Sequence, residues 1–305
     1  MFSFYQRRKI FFSISIALIV IGIFVAVFFG IELDIQFRGG SLVNYSFEGE
    51  LSLTEAESVI SDTIGINVTG QETRQLGDET TNLVISVAGN TALSPENLEA
   101  MDAALDEAFP ENNLQLQSAN LVDPFIGREM LISSLWAVLI ALVLIVTYVW
   151  FRFRTMSGPS AGVMALVALF HDIAIVFFMF VILRQPFNES LIAVVLTILG
   201  YSVYDTIVIY DRIRENRQIY KGKMALQDLV DLSIRQSFAR SVNTTLCTFG
   251  AIAVAYVFAV LYNIQSIQQF ALPMMIGLIS GAYSTICLAG PLWTMWKTRG
   301  GRSGY

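Results

Sequence analysis

The stretch Gly200–Arg217, GYSVYDTIVIYDRIRENR, sets an acid, Asp205, inside an apolar run. It then emerges into charge at Asp211, Arg212, Arg214, Glu215 and Arg217. An ionised carboxylate facing hydrocarbon costs several kcal/mol, so Asp205 must meet protein partners or line an ion path. It stands six residues before Asp211, about 9 Å deeper along a continuous helix. Tyr201 and Ser202, at i−4 and i−3, share its face and predict a polar cluster beneath it. Two roles fit: a group that takes up and releases an ion, and a static acid hydrogen-bonded within a bundle. We expect the first.

His171 and Asp172 sit near the middle of another apolar run. Adjacent helical residues face about 100° apart, so one can enter the interhelical core while the other meets a different neighbour. The lone histidine of the chain could relay a proton, since imidazole titrates near neutral pH. Structural hydrogen bonding is the expectation for His171. Arg240 precedes a further apolar run, and Thr244 and Thr248 follow at i+4 and i+8, nearly on one face. Arg240 can snorkel to headgroups, or it can pair with Asp205 and release it on protonation.

Other chemistries lack their residues. The phosphate-loop pattern GxxxxGK[ST] and the zinc pattern HExxH are absent, so work must draw on an ion gradient or a partner rather than on ATP. No metal or cofactor is implied: residues 31–129 hold neither histidine nor cysteine, and Cys247 and Cys287 lie in apolar runs where packing is the expectation. Basic residues lie where membrane orientation puts them, so nucleic acid is not implied either.

The elements that must position these groups are membrane helices. Of 305 residues, 54% are hydrophobic and only 14% charged, with a net charge of −6. The run Ile10–Phe29 follows Arg7, Arg8 and Lys9 and reads as an uncleaved first span over 10–30 with a cytoplasmic N-terminus. Further spans are expected near 131–150, 160–183, 190–210, 241–262 and 268–296, within a membrane region of 130–296. A cytoplasmic loop is expected over 211–240 and a cytoplasmic tail over 297–305. Fifteen basic residues then fall at cytoplasmic ends and four outside, which agrees with the positive-inside rule. Within the loop, Met224, Leu226, Leu229, Val230 and Ile234 predict an amphipathic helix on the inner membrane surface. Gly158 with Gly162, and Gly277 with Gly281, have the small-xxx-small spacing of close helix packing.

Residues 31–129 form an extracytoplasmic domain by the same logic. Alternation at Val43, Tyr45 and Phe47, at Leu83, Ile85 and Val87, and at Leu114 and Leu116 predicts strands, with another over 66–74. Leu53–Thr63 and Pro95–Phe109 predict helices, the second capped by Ser94. The order β-α-β-β-α-β is a split βαβ, ferredoxin-like α+β domain. From Glu32 to Glu129 it carries 18 acidic and three basic residues, which suits solubility and also an attraction for basic segments.

The motifs together resemble the SecF family of protein-export membrane subunits. The stretch from Gly200 to Asn216 carries most of the likeness. FRGGS at 37–41, FHD at 170–172, SFARSVNTTLCTF at 237–249 and GLISGAYSTICLAGPL at 277–292 support it. The resemblance implies a polytopic α-helical membrane protein, a six-span half of an RND-like device completed by SecD. It implies that Asp205 and Arg240 carry proton coupling and that Asp172 has a buried polar role, with His171, Tyr201, Ser202, Thr244 and Thr248 as a polar relay. The expected activity is late-stage translocation and release of secreted polypeptides, driven by the proton motive force. The alternatives are an RND-like half-transporter for lipids or hydrophobic small molecules, and a non-conducting assembly subunit. Implied partners are SecD, the SecYEG channel, SecA, YajC, YidC, the unfolded secretory chain and membrane lipid. The chain departs from the pattern at Gln36, where relatives carry Asp, at Val122-Asp123-Pro124, where they carry Val-Gly-Pro, and at Tyr204, where they carry Asn.

Overall fold

The computed structural model describes residues 3–31, 33–34, 37, 39–49, 51–74, 81–88, 93–122, 124–153, 158–262 and 264–299. Gln36, Arg38, Asp123 and the tail beyond Arg299, all named above, lie outside the described residues. Helix α1 spans Arg8–Phe29 and leads to strand β1, Gly40–Phe47. Helix α2, Leu53–Ile64, is followed by β2, Val68–Arg74, and β3, Thr81–Ala88. Helix α3, Pro95–Ala108, then precedes β4, Gln115–Val122. The chain returns to the membrane with α4, Pro124–Arg152, and α5, Gly158–Ile182. Helices α6, Glu189–Tyr220, and α7, Leu226–Leu261, are the two longest. Helix α8, Gln265–Ser284, runs through a π-helical turn, Thr285–Ala289, into α9, Gly290–Arg299.

The four strands form one antiparallel sheet in the order β2-β3-β1-β4, the expected ferredoxin-like arrangement. Because side chains alternate across a strand, Val43, Tyr45 and Phe47 of β1 and Leu83, Ile85 and Val87 of β3 turn to one face and are buried. Ala56 and Ile60 of α2 and Met101 and Leu105 of α3 cover that face. Each large apolar side chain removed from water contributes about 1.5–3 kcal/mol. Ser94 caps α3 as expected, its Oγ accepting from Asn97 N at 3.2 Å. The alternation expected at Leu114 and Leu116 does not hold. Leu114 packs on the core just ahead of the strand, whereas Leu116 lies within β4 and is exposed. Two residues share a face only when both belong to the strand.

Six helices among the described residues are long and apolar enough to cross a membrane, the sixth formed by α8, the π turn and α9 together. Helices α5, α6 and α8 form the buried centre, and α1, α4 and α7 turn most of their surface outward. The segment 211–240 is not a loop bearing a helix on the membrane surface. Helix α6 continues to Tyr220, a short turn reverses the chain, and α7 runs unbroken from Leu226 through its span. The apolar residues Leu226, Leu229, Val230 and Ile234 pack into the bundle core instead of facing lipid headgroups. Polar bonds stitch the hairpin: Asn216 Nδ2 donates to Ser233 Oγ (2.8 Å) and Gln236 Oε1 (2.7 Å), and Arg212 Nε donates to Gln236 Oε1 (2.7 Å). Arg152 of α4 pairs with Asp211 at 2.8 Å.

Close approach explains two of the glycines singled out by spacing. A Cβ at Gly277 would lie 2.7 Å from Ile198 of α6 and 3.0 Å from Val176 of α5, and one at Gly281 would lie 3.3 Å from Cβ of Ser202. Gly162 has ordinary clearance, 3.7 Å from the Val146 carbonyl of α4, and Gly158 opens α5. Gly22 of α1, which spacing did not mark, is tighter than any of these, because Phe178 of α5 fills the place of its missing side chain. Cys287 is buried as expected, but Cys247 faces out of the bundle, so packing does not explain it.

Candidate functional site

Asp172 occupies the crossing of α5, α6 and α8 and is fully buried. Its Oδ2 accepts from Ser202 Oγ of α6 and Ser284 Oγ of α8, each at 2.7 Å, and its Oδ1 accepts from Ser280 Oγ at 2.7 Å. His171 Nδ1 lies 3.2 Å from the same Oδ1, while its Nε2 is buried without a hydrogen-bond partner. Ser280 and Ser284 are one turn apart on α8, so a single helix face presents both hydroxyls. Serine hydroxyls donate or accept by rotating. Ser284 Oγ also lies 3.1 Å from the Gly281 carbonyl, a second acceptor within reach.

Asp205 is buried on α6 but much less enclosed in bonds. Its Oδ1 accepts from Ser241 Oγ of α7 at 2.6 Å, and its Oδ2 has no hydrogen-bond partner. Arg240 does not pair with it. The guanidinium hangs on the outer side of α7, and Nη2 donates to Tyr204 Oη at 3.2 Å. Tyr204, the residue that departs from the family pattern, thus engages the arginine rather than the acid. Around this corner Tyr204 is 52% exposed, and a Cβ at Gly200 or Gly250 would meet nothing within 4 Å. The face carrying Arg240 is open.

The relay expected around Asp205 is assembled differently. Ser202 serves Asp172, not Asp205. Tyr201 Oη donates to Thr245 Oγ1 at 3.2 Å. Thr244 and Thr248 turn their hydroxyls back onto the carbonyls of Arg240 and Thr244 in their own helix. The inward polar line of α7 is Ser241 and Thr245, one residue past the face expected from Arg240, and one residue is about 100° of helix. Thr206 of α6 and Thr285 of the π turn, 3.0 Å apart, extend the polar seam. The spacing Ser241-x-x-x-Thr245, and Ser280-x-x-x-Ser284 in an otherwise apolar run, were the readable signals for the residues that sequence reasoning missed.

A third buried acid lies on the extension of α7. Asp231 accepts from Tyr5 N at 3.0 Å and from Ser3 Oγ, fastening the segment ahead of α1. Neither composition nor spacing marked it.

Comparison with known proteins identifies the family. Residues 101–299 match the family described as protein export membrane protein SecD/SecF, C-terminal. The protein translocase subunit SecF of Alicyclobacillus acidocaldarius is 33% identical over 300 residues, covering 98% of this chain and 94% of that one. SecDF of Bacillus subtilis is 30% identical across 97% of this chain, which spans only 38% of that longer protein. The crystal structure of SecDF from Thermus thermophilus, a translocon-associated membrane protein, superposes with a TM-score of 0.80 at 28% identity. It covers 98% of this chain, which spans 39% of that one. A SecDF crystal structure in a super-membrane-facing form gives 0.70. With the family model over most of the membrane domain and relatives aligned from end to end, the chain belongs to the SecD/SecF family, as a SecF-type protein translocase subunit with six membrane helices and an extracytoplasmic α+β domain.

Proposed function

We propose that the chain works with SecD as one half of an ion-driven device. That device promotes late translocation and release of secreted polypeptides on the extracytoplasmic side, drawing on the proton motive force. The observation that carries this reading is the asymmetry at Asp205, a buried carboxylate with one oxygen unpartnered, next to an outward arginine on an open helix face. An acid that shuttles an ion needs a free coordination position, and a bare face of α6 and α7 needs a second half to cover it. SecD is the occupant the relatives point to, since fused SecDF proteins carry this chain's equivalent in 36–38% of their length.

In this reading Asp205 and Arg240 carry the coupling, and Asp172 holds α5, α6 and α8 in register. Protonation of Asp205 removes its charge beside Arg240 and lets α6 and α7 adjust. Both termini face the cytoplasm, which sets the α6–α7 hairpin there and the acidic domain outside. SecYEG is the channel served, with SecA, YajC and YidC as further partners. Lipid or small-molecule export is the weaker alternative, because end-to-end alignment with SecF chains favours protein export.

The test uses the SecD–SecF complex in sealed vesicles, with assembly checked and proton and sodium gradients imposed separately. Asp205→Asn is expected to abolish only the gradient-stimulated part of export. Unchanged stimulation in an intact complex would leave Asp205 a structural acid and the chain an assembly subunit.

A further inference from the structure

Tyr283 touches two neighbourhoods at once. It sits on α8 between the serines that hold Asp172, beside Ser284 and one turn after Ser280, and adjacent helical residues diverge by about 100°. Its side chain therefore leaves the Asp172 cage and reaches α1. There Oη donates to the Phe11 carbonyl at 2.7 Å, and since a phenol has one proton, Ser15 Oγ, 3.2 Å away, must donate to Tyr283. Residues 11 and 15 are one turn apart, so one hydroxyl clamps one turn of α1. The ring meets Phe11 edge-on at 6.3 Å and lies 5.9 Å from the ring of His171, whose Nδ1 faces Asp172.

Two further features give this contact freedom to move. The backbone immediately after Ser284 is π-helical, a local irregularity at which a helix can re-register. A crevice of about 420 Å3, lined in part by Ile14, Leu18, His171, Phe178, Ser280 and Tyr283, opens between α1, α5 and α8. Helix α1 is also the strut of the outer domain. Beyond Gly30 the chain forms a bridge from Leu33 to Phe187, and Asp34 N donates to Phe187 O at 3.0 Å, before β1 begins.

We propose that Tyr283 is a positioning residue that carries a movement of α8 to α1 and through it to the extracytoplasmic domain. This rests on the ion-coupled reading above. The movement enters α8 next to Asp205, where Thr206 Oγ1 of α6 lies 3.0 Å from Thr285 Oγ1 of the π turn, two residues beyond Tyr283. Helix α8 shifts at its π segment as α6 adjusts, and Tyr283 carries the clamped turn of α1 with it. Three attachments bypass Tyr283: Phe187 to the linker, the contact of α8 itself with β2, and Asp231 of α7 to Ser3 and Tyr5 ahead of α1; the test separates them as a group from the Tyr283 route.

The SecD–SecF complex is reconstituted in vesicles with spin-label pairs on the full chain and Cys247 replaced by Ser. The outer pair is Asp62→Cys with Leu183→Cys, and the inner pair is Trp150→Cys with Ile219→Cys. In the wild-type background both distances are expected to shift when a gradient is imposed. Tyr283→Phe, which keeps the ring and removes the hydroxyl, is expected to keep the inner shift, lose the outer shift and lose gradient-stimulated export. An outer shift of wild-type size in Tyr283→Phe overturns the relay in favour of the attachments that bypass it. Loss of both shifts overturns it too, since Tyr283 then serves the bundle itself. If the wild-type complex shows neither shift, the ion-coupled reading fails and the relay falls with it. Ser15→Ala removes the weaker bond and is expected to reduce the outer shift. An undiminished shift there overturns the clamp, even should Tyr283→Phe fail to assemble.

Discussion

Asp172 and Asp205 are buried acids on neighbouring helices of one bundle, and they are built in opposite ways. Asp172 receives three serine hydroxyls and a histidine nitrogen, all from its own chain. Asp205 receives one serine, keeps one oxygen bare, and has nearby an arginine that bonds Tyr204 instead. The first is satisfied by its own chain and the second leaves an oxygen open. Burial alone does not distinguish them, because both are nearly inaccessible. What separates them is how many lone pairs the chain itself satisfies.

That contrast can be broken by substitution in the isolated chain, with thermal unfolding in detergent as the readout. Asp172→Leu should cost most, about 2–4 kcal/mol, because it strands buried hydroxyls, and a melt unchanged from wild type would mean the cage holds nothing together. Gly277→Ala forces a methyl against Ile198 behind the same crossing and should cost about 1–2 kcal/mol, the overpacking loss less the helix-propensity gain. On the open side the sign reverses. Gly200→Ala meets no neighbour and should stabilise the isolated chain by up to about 1 kcal/mol, yet weaken co-purification with SecD if that face is the docking surface. Asp205→Asn should move the melt least, by under about 1 kcal/mol, since the amide oxygen can still accept from Ser241. Destabilisation by Asp205→Asn equal to that of Asp172→Leu would erase the distinction.

Much of the architecture was legible because it follows from periodicity. Alternation at Val43, Tyr45 and Phe47 could be satisfied only by a strand with one buried face, and six apolar runs could only be spans. The site was legible in its acids, which are conspicuous in hydrocarbon, and less so in their partners. Serine and threonine are common enough in membrane helices that the Ser280-x-x-x-Ser284 spacing marks a polar face without naming its partner, which only the crossing of α5, α6 and α8 supplies in Asp172. The expected face of α7 is off by one residue because Thr244 and Thr248 are phased from Arg240, and helical phase turns that into the difference between Thr244 and Ser241. The hairpin beyond Asp211 was read as surface-bound because its charge excludes it from the membrane. Its pairing through Asn216, Ser233 and Gln236 depends on two helices running side by side past the bilayer, which no single-helix pattern encodes.

Those two helices are longer than a membrane is thick. The 32 residues of α6 extend about 48 Å and the 36 of α7 about 54 Å, against a hydrocarbon core of about 30 Å. From Asp205 to Tyr220 the shaft measures about 22 Å. Over that length a tilt of about 5° about Asp205 would displace the tip by about 2 Å. The cross-bonds from Asn216 and Arg212 make the pair swing as one arm. Asp231 lies on that arm and holds Ser3 and Tyr5, so any displacement of the arm would also pull on the start of α1.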